Sequence, residues 1–232
     1  MNTTKHIILL LFSAMCLQLN GQSNNMMGDA AEQNLRSLGS AGSSDQIRTF
    51  NNSYRGVVGT PFLVNRWQKA VLVTAKKDTI RTSIKLDLFK DDLWAILSKG
   101  DSIIVDKGLV RSFSFHDEQE KRDRDFFFDS HLLGYFEMAY KGNNISLASK
   151  RRKDLIKAAV SGGYRTGNPY DEFVTARTQY FVIKDGKLHQ LRQRRGVLEE
   201  LLGKDAASKA ADVDFKDEEQ VLKLVREADG AR

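Results

Sequence analysis

Cysteine, proline and long apolar runs are all scarce in this 232-residue chain, which has one Cys and two Pro. The single cysteine, Cys16, lies inside an N-terminal apolar stretch. If that stretch is removed on export, no thiol remains, which excludes disulfides, zinc–thiolate sites and cysteine nucleophiles. Beyond it, charge interrupts the chain too often for membrane-crossing helices, which argues against a polytopic membrane protein. Three catalytic signatures are also missing: a Gly-x-Ser-x-Gly nucleophile elbow, a phosphate-cradling glycine loop and a His-Glu-x-x-His metal helix. What remains, 41% hydrophobic and 28% charged residues, suffices for one sizeable core or two small ones.

The first 21 residues read as a secretory signal peptide. Lys5 is the positive flank, Ile7 to Phe12 begins an apolar stretch that reaches Leu19, and Asn20-Gly21 precedes the polar Gln22. An uncleaved anchor is the alternative; a lipidated Cys16 fits less well, since Ser13-Ala14-Met15 lacks the usual aliphatic residue three positions before it. The expectation is an exported protein, periplasmic or associated with the outer membrane or cell surface, and peripheral to the membrane. Loss of Lys5 lowers the formal net charge from +6 to +5.

Residues 22–58 are rich in Asn, Ser and Gly and predict a flexible arm, with a short helix conceivable from Asp29 to Leu38 and ended by Gly39. From residue 59 short β-branched and aromatic runs alternate with turn residues. Residues 59–118 predict a first antiparallel β unit with strands at Trp67–Ala75, Thr79–Leu88, Leu93–Leu97, Ser102–Val105 and Val110–Phe115. This is a meander, curled sheet or barrel. His116–Asp125 predicts a solvated loop. A second β unit, 119–195, contains two similar hairpins around Lys141–Asn144 and Lys184–Gly186. Residues 196–232 predict helices, with a capping box at Asp217–Gln220. The fold class is thus mostly β, two small antiparallel groups followed by a short helical appendage.

Two clusters carry chemistry. Lys150, Arg151, Arg152 and Lys153, with Arg192, Arg194 and Arg195, form basic segments followed by an acidic C-terminal stretch. Inside a cell such runs would suggest nucleic acid; on an exported protein they suggest an anionic envelope component or an acidic protein surface, unless they form a solvated face. The second cluster, His116, Glu118, Asp129 and His131, offers imidazole and carboxylate ligands for zinc or a harder divalent ion. Trp67 and Trp94 could stack on a sugar ring, with core packing the alternative.

Gly59-Thr60-Pro61-Phe62-Leu63, Trp67-Gln68-Lys69-Ala70, Phe89-Lys90-Asp91-Asp92 and Tyr180-Phe181-Val182-Ile183-Lys184-Asp185-Gly186-Lys187 together resemble a group of secreted, functionally uncharacterised β-rich envelope proteins of Bacteroidota. The resemblance runs from Gly59 to the C-terminus. It implies a Gram-negative envelope protein, β-rich with a helical end, and carries no catalytic residues; the Gly21-Gln22 junction fits signal cleavage in that phylum. Two functions follow as expectations. The first is a non-enzymatic binding or accessory subunit of an envelope assembly, using the basic segments and no cofactor. The alternative is a small metal-binding protein or hydrolase using the His/Asp/Glu cluster.

Overall fold

Alternation of inward apolar and outward polar residues, broken by Gly, Asp and Lys turns, builds antiparallel hairpins that join side by side into one sheet. The computed structural model describes residues 29–39, 54–98, 100–158, 160–161, 164–165 and 169–230. The predicted signal segment and most of the predicted arm lie outside the described residues; Asp29–Gly39 forms helix α1.

The first strands are β1 (Gln68–Thr74), β2 (Thr79–Asp87), β3 (Asp92–Ile96), β4 (Ser102–Val105) and β5 (Val110–Asp117). They continue into β6 (Arg122–Asp129), β7 (Gly134–Tyr140) and β8 (Ser146–Lys150). After β9 (Lys153–Ile156), β10 (Val160–Ser161), β11 (Tyr164–Arg165) and β12 (Glu172–Thr175) come β13 (Gln179–Lys184) and β14 (Lys187–Gln190). The main sheet has ten strands in the order β14-β13-β8-β7-β6-β5-β1-β2-β3-β4. All of its neighbours are antiparallel. β9 and β12 form a small second sheet, and β10 pairs with β11. The chain is mostly β, but the large sheet is open and not a barrel.

The two predicted β groups are therefore one sheet, joined where β5 pairs with β6. The predicted loop His116–Asp125 is instead a hairpin end, with only residues 118–121 outside strands. Its alternating charges are those of a strand pair, and two of them, Asp117 and Arg124, are buried. Phe126, Phe127 and Phe128 continue β6. Phe126 and Phe128 pack into one core and Phe127 into a cluster on the opposite face, as period-two geometry requires.

Two apolar cores share one face of the sheet. The first gathers Leu72, Ile80, Ile84, Phe113 and Phe126 beneath Leu35 and Leu38 of α1. The second gathers Leu147, Tyr180 and Val182 beneath α2 (Arg195–Leu202), α3 (Lys204–Lys209) and α4 (Glu218–Gly230). Between them the same strand faces carry buried charge. Arg124 donates to Asp117 Oδ2 at 2.9 Å and to Glu137 at 3.1 and 3.2 Å, and all three side chains are 2% exposed. Arg122 and Arg151 also reach Glu137, at 3.1 and 3.5 Å.

The C-terminal helix is fixed by one carboxylate. Asp229 accepts from the backbone N–H groups of Asn143, Asn144 and Ile145 at 2.8 to 2.9 Å and from the Tyr140 hydroxyl at 3.0 Å. These hydrogen bonds to the charged form, led by the backbone donors, hold its pKa far below the usual carboxylate range. At the other end of α4, Asp217 accepts from the N–H groups of Glu219 and Gln220, while the Gln220 side chain reaches back to accept from Asp214 N–H.

Candidate anion-binding cleft

The basic segments meet because three chain ends converge. β8 ends at Lys150, antiparallel β13 begins at Gln179, and β14 ends at Gln190, so the residues that follow or precede them emerge at one end of the sheet. They enclose a cleft of about 670 Å³, within the range of small-molecule sites. Lys150, Arg152 and Asp154 form one wall, Arg177 and Gln179 a second, and Arg192 and Gln193 a third. Tyr180, Leu191 and Phe215, all buried, lie at its base.

Extended backbone sorts the run 150–154 by parity. Lys150, Arg152 and Asp154 line the cleft. Arg151 turns inward, pairing with Glu218 at the start of α4 and with Glu137. Lys153 donates to the carbonyls of Thr60 and Phe62 at 2.6 and 3.0 Å, and burial lowers its pKa. Both are structural cations. Arg195 pairs with Glu199 one helical turn on, and neither it nor the exposed Arg194 lines the cleft.

The lining cations differ in freedom. The Lys150 ammonium is tied to Asp91 at 2.7 Å and to the Tyr135 carbonyl at 2.9 Å, and lies over the Phe136 ring. Burial lowers its pKa, against the opposing pull of Asp91. Lys150 thus gives the cleft its stem. Arg152 is paired with Asp154 at 3.1 Å. Arg192 is held by a neutral group, donating through Nε and Nη2 to Gln190 Oε1 at 2.9 and 2.7 Å. Arg177 and Arg192 have no carboxylate partner among the described residues. At the base, burial, with Glu218 adding to it, pushes the Tyr180 phenol up to about 12, so it stays protonated at neutral pH.

Sequence reasoning reached Lys150, Arg152 and Arg192 but singled out neither Arg177 nor the amides of Gln179, Gln190 and Gln193, nor Phe215. Arg177 was marked only by the basic bias of residues 177–195. Phe215 comes from a segment whose approach to β8 no local pattern announces.

The His/Asp/Glu candidates are not brought together. His116 Nδ1 lies 2.7 Å from Asp123 Oδ1, and Glu118 faces Arg66 at 3.6 Å, both at one end of the β5–β6 hairpin. Asp129 lies six residues beyond Asp123 along β6, ~20 Å at strand rise. There its carboxylate accepts from the N–H groups of His131 and Leu132. Among the described residues no group of three or more His, Cys, Asp and Glu side chains is placed to hold a metal. The two tryptophans belong to packing: Phe62 meets Trp94 edge-on, and the Lys85 ammonium lies over the rings of Phe62 and Trp67 at 4.9 and 5.3 Å.

No helix among the described residues is long and apolar enough to cross a membrane. Comparison with known proteins finds no matching family model, no matching curated protein and no matching solved structure.

Proposed function

We propose that this protein is an exported, non-enzymatic binding or accessory subunit of the cell envelope, peripheral to the membrane, and that it engages an anionic envelope component or an acidic partner surface at the cleft. One observation carries the reading: the two open ends of the β13–β14 hairpin place Arg177 and Arg192, both without a carboxylate partner among the described residues, in one concave site. Guanidinium groups are suited to fixed, bidentate recognition of carboxylate or phosphate. The N-terminal segment supports export, and with export the anions are those of the envelope rather than nucleic acid.

The test is retention of the tagged protein on isolated envelope fractions at rising salt, comparing wild type with Arg177→Gln/Arg192→Gln. Wild type should be retained at low salt and released as exposed charge is screened; the double variant should be released at low salt. Equal retention of both would remove the cleft from the function.

A further inference from the structure

Besides Arg177 and Arg192, which have no carboxylate partner among the described residues, the cleft carries features that narrow the occupant. This step rests on the cleft being the binding site. Gln179, Gln193 and Thr178 line the cleft, and their side chains carry two amides and a hydroxyl. Each supplies both a donor and an acceptor. That is the pattern complementary to vicinal hydroxyl groups, which also give and take. Arg192 is braced on Gln190, which leaves the Gln190 amide donors and the other guanidinium donors for a ligand. Asp154, an acceptor only, stands among the cations. A hydroxyl can donate to it, whereas a dense polyanion would bring like charge against it. The base carries two aromatic residues, Tyr180 and Phe215.

One competing occupant fits less well. An anchored phospholipid needs apolar surface beside its headgroup site for acyl chains. The exposed large apolar side chains among the described residues are Val58, Phe89, Leu132, Leu133, Ile156 and Tyr170, and none lines the cleft. An extended acidic peptide could still pair with β14, which is at the edge of the sheet, and tetraglutamate in the test below stands for that occupant.

We infer that the cleft binds an acidic saccharide, a sugar unit bearing a carboxylate, with Arg177 and Arg192 taking the carboxylate and the glutamine amides, Thr178 and Asp154 taking the ring hydroxyls. The ligand is an anion with several hydroxyls per charge.

The test is calorimetric titration of the full mature chain with trigalacturonate, with maltotriose as a neutral saccharide, and with tetraglutamate and inorganic phosphate as non-saccharide anions. Trigalacturonate should bind and the other three should not. Arg177→Gln or Arg192→Gln should weaken it at least tenfold. Gln193→Ala should weaken it severalfold while leaving thermal stability unchanged, a loss that charge attraction alone would not produce. If tetraglutamate or phosphate binds as well as trigalacturonate and is lost in the arginine variants, the saccharide inference is overturned while the anion site stands. If no anion binds, both fail.

Discussion

Asp229 shows how much one side chain can hold. Its carboxylate collects three backbone donors and a phenol from the β7–β8 turn, 84 to 89 residues away in sequence. Because its folded pKa is depressed, it contributes stability fully present above the ordinary aspartate range and lost as pH falls toward the folded value. Melting curves between pH 2 and 7 should show wild type losing stability on acidification, and Asp229→Asn should be less stable at pH 7 with a flatter acid limb. An equally steep limb in the variant would assign acid sensitivity elsewhere. Arg124 is the second such residue. Removing it strands Asp117 and Glu137, each 2% exposed, as buried charges. Arg124→Ala should therefore cost about 3–5 kcal/mol in urea unfolding. Arg195→Ala, at an exposed i,i+4 pair, should be near neutral.

At the level of elements, the β7–β8 turn and α4 act as one unit. A Cβ on Gly142 would lie 2.1 Å from the Ile145 carbonyl and 2.5 Å from the Asp229 carboxylate. Gly142→Ala should therefore loosen the Asp229 clasp, and hydrogen exchange should report faster exchange in α4 than in β1 and β2. Uniform slowing or no change would contradict that coupling. The strands themselves were legible from sequence: Thr79–Leu88 and Ser102–Val105 announce themselves by alternation and flanking turns. The hairpin at His116–Asp125 was not, because its inward residues, Asp117 and Arg124, are charged. A hydrophobicity pattern cannot mark a strand whose buried side neutralises itself by ion pairing.

For the whole molecule, that same charge pairing divides the one sheet face into two cores. This is why the sequence reads as two β groups while the backbone forms a single sheet. The cleft was half legible. Basic runs marked Lys150, Arg152 and Arg192, but parity along the strand decides which of them face the cleft, and the pairing of β8 with β13, which places Arg177 beside them, is a non-local fact. The distinction changes how the site is probed. Arg151 and Lys153 bind the chain to itself, so reversing the whole run 151–153 would damage the fold along with the surface. Arg177 and Arg192 report on the cleft alone; their replacement by Gln should shift the melting temperature little.

The most direct measurement is the affinity of wild type and the Arg177→Gln/Arg192→Gln double variant for trigalacturonate at low and high salt, with circular dichroism and melting run alongside. Saturable wild-type binding that weakens with salt and falls at least tenfold in a variant of unchanged fold is the predicted result. Wild-type binding that survives the double substitution in a folded protein would contradict the assignment of the cleft as the anion site.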